Sequence, residues 1–287
     1  MYENNNVTQG AQTALQKKSG GSHAWLICIL VGLILFIIGF ALFRIFGVKS
    51  SLRLKDYNES FSASDVRKLD MDIEWADLTV GLSEDDDIHV DAKNVPEDFG
   101  AEVKNGTFRT YYTNKKLKVH NLIDFWNNGK DDTTVNILLP KNEYSSFILE
   151  LGAGETAVSD ITCDKLSVNC GAGEVTFKNI RCSESEIDCG AGQVNITDIN
   201  CEGKLDIDGG AGEIIISGIL GGIDVDQGVG NFEFTGTING NIDADGGVGE
   251  MTFRLTNPPD DFYSNGGKYK LDVDTGVGAA NVYYGQE

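Results

Sequence analysis

Apolar and polar residues alternate one by one through much of the chain beyond residue 150. The stretch 205–208 reads Leu-Asp-Ile-Asp, and the stretch 223–226 reads Ile-Asp-Val-Asp. A period of two sends successive side chains to opposite faces of a β-strand, whereas an amphipathic helix needs a period near 3.6. The pattern therefore predicts half-buried strands whose apolar residues face a common core.

A Gly-x-Gly turn separates these strands and occurs seven times. Most copies follow the previous one after 18 to 20 residues, and the last follows after 29. A fixed period of this length is typical of repeat architectures, in which each unit buries its apolar face only against its neighbours. The seven copies begin at Gly152, Gly171, Gly190, Gly210, Gly228, Gly247 and Gly276.

These two patterns together predict an all-β fold, namely a parallel β-solenoid with coils of about 19 residues. Each coil holds two short strands joined by the glycine turn, and equivalent strands of successive coils lie about 4.8 Å apart. The corners of the coils are expected near Ile161, Ile180, Ile199 and Ile219. An antiparallel sandwich is the alternative, although sandwiches rarely keep so constant a period.

The residues before the glycine series have the alternation without the glycines. We interpret residues 65–150 as N-terminal coils and a cap, and residues 151–287 as the Gly-x-Gly repeat solenoid. Leu69, Met71 and Ile73 reproduce the pattern of a coil. Terminal repeats are atypical because they must cover a sheet edge. The interval of 29 residues predicts a loop inserted near residues 257–261.

Twenty consecutive residues, 24–43, carry no charge and are rich in Leu, Ile and Phe. Such a run is long enough to span a hydrocarbon core of about 30 Å. We predict a single transmembrane α-helix within residues 24–48, after a polar tail (1–23) and before a juxtamembrane linker (49–64). A cleaved secretory signal is the alternative, but the apolar run is too long for one.

Two features of the sequence predict opposite orientations of that helix in the membrane. Basic residues near the helix are more numerous on its C-terminal side, which by the positive-inside rule keeps the large domain in the cytoplasm. A short tail followed by a signal anchor favours translocation of the large domain instead. We expect a single-pass cell-membrane protein with the solenoid outside the cell.

The chain is strongly acidic, with a formal net charge of −21. Such a surface repels nucleic acid and attracts cations, cationic peptides or basic protein surfaces. Acidic residues also recur at outward positions of the strands, where stacked like charges are destabilising unless they are solvated or bind ions. A solvated acidic face is one interpretation, and calcium binding is the other. The calcium candidates are Asp206, Asp208, Asp224, Asp226, Asp243 and Asp245.

Five cysteines occupy matching positions in neighbouring coils of the predicted solenoid. Three interpretations stay open: buried free thiols, disulfides between coils, or a metal site. No Cys-x-x-Cys pair and no nearby His supports zinc. These cysteines are Cys163, Cys170, Cys182, Cys189 and Cys201.

The sequence contains no catalytic motif, and no cofactor is predicted. The repeat region lacks His, and its carboxylates are regularly repeated, which is the opposite of a unique catalytic constellation. One non-repeating apolar cluster contains Phe125 and Trp126. This cluster is either a binding surface or a capping element for the open end of the solenoid.

The repeats resemble those of a bacterial, adhesin-like family of unknown function. The resemblance rests on the stretch 205–212, with Leu-Asp-Ile-Asp leading into Gly-Gly-Ala-Gly, and on stretches near residues 103–107, 137–141 and 150–155. It implies a non-catalytic, membrane-anchored binding or sensor ectodomain at the cell envelope, whose ligand is a protein, glycan or cationic peptide. An envelope-stress regulatory scaffold, with its solenoid on the cytoplasmic side, is the alternative.

Overall fold

The computed structural model describes residues 53–112, 133–262 and 266–285. Within these ranges the chain forms strands and one short 3-10 turn at Pro259–Asp261, which confirms the all-β prediction. The strands are β1 (Leu54–Ser62), β2 (Lys68–Trp75), β3 (Asp77–Leu82), β4 (Asp87–Pro96), β5 (Phe99–Lys104), β6 (Thr107–Tyr112), β7 (Thr134–Leu139), β8 (Glu143–Ser159), β9 (Thr162–Ile238), β10 (Ile242–Leu255) and β11 (Leu271–Tyr284).

No helix within those three ranges is long and apolar enough to cross a membrane. The predicted membrane segment at 24–43 and the cluster with Phe125 and Trp126 lie outside the described residues.

Strands β8 to β11 wind into coils that stack in parallel. Glu143 of β8 pairs with Thr162 of β9, and Ile242 of β10 pairs with Ile223 of β9, so both partners are 19 residues apart. Ile242 also pairs with Leu271 of β11 across the longer interval. Strand β9 is long because its strand geometry continues through several glycine turns without interruption.

The N-terminal part of the fold adds antiparallel strands that the glycine period did not predict. Strands β2 and β3 join the parallel stack through β8, as the alternation at Leu69 and Met71 indicated. In contrast, β1 pairs antiparallel with β4, β4 with β7, and β5 with β6. These strands close one end of the molecule.

A single continuous core runs through the interior of the coils. The apolar residues before each turn form one ladder of buried side chains, and those after it form another. Phe177, Phe234 and Phe253 are fully buried in the second ladder. Burial of about 25 cal/mol per Å² of apolar surface makes these ladders the main source of folding free energy.

The corners follow the prediction at three of the four expected positions. Ile161, Ile180 and Ile199 are buried, whereas Ile219 is 47% exposed and Leu220 takes the buried place. Ile219 lies nine residues after the first glycine of its turn, as the other three corner residues do, but Gly218 takes the place that lies over Ile199. The preceding residues at the three regular corners, Asp160, Asn179 and Asp198, have positive φ. Asp and Asn tolerate this conformation better than other non-glycine residues.

The five cysteines are buried free thiols, which is the first of the three interpretations. Burial raises the pKa of Cys163 to about 12. The hydrogen bond that the Cys170 thiol donates to Cys189 raises the pKa of Cys170 above its usual value and lowers that of Cys189 to about 7. Cys182 and Cys201 form a second pair of this kind, in which the pKa of Cys182 is raised and that of Cys201 is lowered. The Cys163, Cys170 and Cys182 thiols are therefore protonated at neutral pH and pack as small apolar groups.

Glycine is required where successive turns touch. Gly212 has φ +152°, and a Cβ on it would overlap the carbonyl oxygen of Gly192 in the coil below. We expect Gly212→Ala to lower the free energy of unfolding by at least about 3 kcal/mol, because neither backbone can move aside. Gly266→Ala is the matched control, since φ is also positive there but no atom lies within 4 Å. Equal losses of melting temperature in both variants would contradict the steric explanation.

Candidate functional site: an acidic groove along the coils

Two parallel rows of acidic side chains run up the outward face of the strands that precede the glycine turns. Register pairs place equivalent residues of successive coils side by side, for example Asp243 beside Asp224 and Asp245 beside Asp226. The outer acidic row, four residues before each turn, comprises Asp70, Glu186, Asp206, Asp224, Asp243 and Asp272. The inner acidic row, two residues before each turn, comprises Asp72, Glu150, Asp188, Asp208, Asp226, Asp245 and Asp274.

Every member of the outer acidic row has a basic partner. Lys204 Nζ lies 2.8 Å from a carboxylate oxygen of Asp206 and 2.9 Å from one of Asp224. Lys270 bridges Asp243 and Asp272 in the same way, at 3.0 and 3.2 Å. The remaining pairs are Lys165 with Glu186 and Arg109 with Asp70. The lysines thus cross from one coil to the next, and the four basic side chains neutralise part of the charge of the six carboxylates in this row.

The inner acidic row is different. Among the described residues, no lysine or arginine forms an ion pair with Asp188, Asp208, Asp226 or Asp245. These four carboxylates belong to consecutive coils, at the strand spacing of about 4.8 Å. They form a line of negative charge that the described part of the chain does not compensate.

The inner acidic row borders a shallow groove whose floor consists of glycine backbone and Gln227. Between Asp208, Asp226 and Asp245 and the glycines of the adjoining turns lies an open depression of about 580 Å³. A second depression, of about 380 Å³, lies along the same row at the first coils, beside Glu150 and Trp75. Both are open to solvent, so the groove suits an extended ligand laid along the coils rather than an enclosed small molecule.

Small apolar residues are exposed at the glycine turns. They are the central residues of the Gly-x-Gly turns, and Val229 and Val277 are 45% and 55% exposed. Several turns are followed directly by a glutamate, namely Glu174, Glu213 and Glu250. Acidic residues therefore come both before and after these exposed apolar residues in the sequence of a coil.

The charges of the inner acidic row affect one another. Burial, followed by the charges of Asp208 and Glu186, raises the pKa of Asp188. Burial and the charges of Asp208 and Asp245 raise the pKa of Asp226 in the same way. Raised carboxyl pKa values mean that the folded chain holds these groups ionised at some cost in stability.

The structure separates the six calcium candidates into the two rows. Asp206, Asp224 and Asp243 contact lysines, and Asp208, Asp226 and Asp245 line the groove. Within the described ranges, no group of three or more His, Cys, Asp or Glu side chains is arranged to hold a metal ion. Calcium binding therefore stays a sequence-based hypothesis.

The raised pKa values give a test by pH. Because the folded-state pKa exceeds the unfolded one, ionisation of Asp188 and Asp226 opposes folding, and their contribution to stability improves as pH falls from neutrality through the folded pKa. We expect the double variant Asp188→Asn, Asp226→Asn to raise the melting temperature at pH 7 by about 1 to 4 °C, because two repelling charges are lost. The stability that the chain gains as the pH falls should also be smaller in this variant than in the unaltered chain. Asp243→Asn is the control: it removes a carboxylate that pairs with Lys270 and whose charge is not among those that raise the two pKa values, so it should give no rise. A rise in the control equal to that in the double variant would contradict the assignment.

Comparison with known proteins identifies the family of this chain. The model of the Toastrack DUF4097 family matches residues 66–272, and no curated protein matches the chain. A solved "putative adhesin" from Bacteroides fragilis is 14% identical, with a TM-score of 0.41, and the match covers 82% of this chain and 100% of that one.

A "putative lipid binding protein" from Parabacteroides distasonis is 13% identical, also with a TM-score of 0.41, over 81% of this chain and 95% of that one. The resemblance to an adhesin-like family of unknown function is confirmed. Because the family model spans well over half of the chain, the protein belongs to the Toastrack DUF4097 family.

Proposed function

We propose that this protein is a non-catalytic, membrane-anchored binding ectodomain whose acidic groove holds an extended cationic partner. One observation carries the proposal. Every carboxylate of the outer acidic row forms an ion pair with a lysine or arginine, whereas Asp188, Asp208, Asp226 and Asp245 in the inner row have no such partner in the described part of the chain. Solubility alone does not explain why one row is compensated and its neighbour is not.

The regularity of the groove indicates the kind of partner. Its carboxylates recur once per coil at about 4.8 Å, beside a floor made mostly of glycine backbone. A polycation with repeated amines, such as a lysine-rich peptide, can bring several amines onto the row at once. Each exposed pair contributes only about 0.2–1 kcal/mol, so useful affinity needs several such pairs together.

Anchoring and orientation belong to the proposal as well. The uncharged run at 24–43 supplies a membrane anchor, and the acidic solenoid follows it in the sequence. An adhesin-like role requires this domain to face the outside of the cell.

The binding test uses the full chain in an uncharged detergent and a lysine octapeptide as probe. We expect replacement of Asp188, Asp208, Asp226 and Asp245 by Asn to weaken binding at least tenfold at low salt, because four uncompensated charges are lost. The matched control replaces Asp206, Asp224, Asp243 and Asp272 by Asn, which changes the net charge equally. Equal weakening in both variants would mean general attraction to an acidic protein, and absence of binding to the unaltered chain would refute the proposal.

Orientation is tested by protease treatment of intact cells, with antibodies against the tail (1–23) and against the solenoid. We expect the solenoid signal to disappear while the tail is protected, because a protease added outside reaches only the translocated domain. Protection of the solenoid until the cells are lysed would place it in the cytoplasm. That result would exclude the adhesin-like role and favour the regulatory scaffold.

A further inference from the structure

The two ends of the coil stack differ in whether further strands cover them. At the N-terminal end, the antiparallel strands β1, β4, β5 and β6 surround the first coils, and their aromatic side chains pack into the core. At the other end, β11 pairs with β10 alone, so within the described residues its second edge has no partner strand. This edge is 14 residues long.

The apolar core is open at the same edge. In β10 the inward residues Ile242, Ala244, Phe253 and Leu255 are at most 2% exposed. Their counterparts in β11 are Leu271, Val273, Val282 and Tyr284, and all four are only partly buried. A long edge strand with unpaired backbone groups and half-covered apolar side chains is a surface that pairs readily with another strand.

We propose that the β11 edge pairs with the β11 edge of a second copy of this chain, in an antiparallel, end-to-end dimer. The proposed two-fold axis passes between Val277 and Gly278, at the glycine turn. With the axis at this position, the glycine turns of the two copies face each other. The strand before the turn in one copy then pairs with the strand after the turn in the other. Closed two-fold pairing leaves no free edge for further growth.

The sequence of β11 is complementary to itself in this register. Leu271 faces Tyr284 of the second copy, Val273 faces Val282, and Thr275 faces Ala280. All six of these residues point inward, so each half of the interface continues the apolar ladders of the core across the junction.

The outward side chains of the same register avoid like charges. Asp272 faces Tyr283 of the second copy, and Asp274 faces Asn281. No carboxylate of β11 stands opposite another carboxylate, which would be destabilising. The inner and outer acidic rows therefore reach the junction without direct repulsion across it.

Such a dimer has a consequence for adhesion, which rests on the proposed function. The N-terminal ends of the two copies lie at opposite ends of the joined stack. If each copy is anchored through residues 24–43, the dimer links two membranes rather than two neighbours in one membrane. The partner at this surface is therefore another copy on a facing cell.

The experiment measures sedimentation of the full chain in detergent over a wide range of concentrations. We expect a monomer–dimer equilibrium, and Val282→Lys should weaken the dimer at least tenfold because it places a charge in the apolar junction. Val229→Lys is the matched control, since Val229 is an exposed residue in a middle coil and should leave the dimer unchanged. A chain that is monomeric throughout, or equal weakening by both variants, would overturn the proposal.

Cross-linking tests the register without depending on the folding of a lysine variant. Two differently tagged copies, one with Asp274→Cys and one with Asn281→Cys, are mixed in a Cys28→Ser background and treated with a short bis-maleimide. We expect the mixed pair to cross-link much more than either copy with itself. Preferential self-cross-linking would exclude the register. A chain that binds the lysine octapeptide but remains monomeric would overturn only the dimer, so the two proposals fail separately.

Discussion

The contact between successive glycine turns fixes the register of the coil stack, that is, which residue of one coil lies over which residue of the next. Wherever the second glycine of one turn lies over the turn below, its α-carbon lies against a backbone carbonyl, with no room for a side chain. A residue can approach the coil below this closely only if it is glycine, although the residue beneath it need not be, since Gly154 lies over Ala76. A shift that puts another residue in the place of this glycine is therefore excluded sterically. Once the register is set, equivalent residues of successive coils must stack. The apolar ladders, the stacked thiols and both acidic rows are consequences of that stacking.

Periodic features of the chain could be predicted from its sequence, and aperiodic ones could not. The alternation and the glycine spacing identified the strands and the core because every coil repeats the same information, whereas the state of the cysteines stayed open until the structure showed free thiols. The antiparallel strands β4, β5 and β7 carry the same alternation but no spacing that indicates their partners. The burial of Leu220 in place of Ile219 could not be predicted either, because Ile219 has the same distance from its glycine turn as the other corner residues.

The candidate site, too, could be predicted only in part from the sequence. The acidic columns were visible in the sequence, and they suggested calcium or a solvated face. Which carboxylates are neutralised depends on how far Lys204 and Lys270 reach across to the next coil. That geometry separates two rows that look equivalent in the sequence. Ionisation of Asp188 and Asp226 in the inner row opposes folding, and the burial of the apolar ladders offsets this cost.

The repeat also makes the length of this molecule adjustable. A coil inserted between two middle coils would meet the same glycine contact on both sides, while the closed N-terminal end and the open β11 edge would stay unchanged. Each insertion would extend the groove by about 4.8 Å and by one carboxylate. Duplication or loss of single coils would therefore change the length of the groove with no change in any individual residue that lines it.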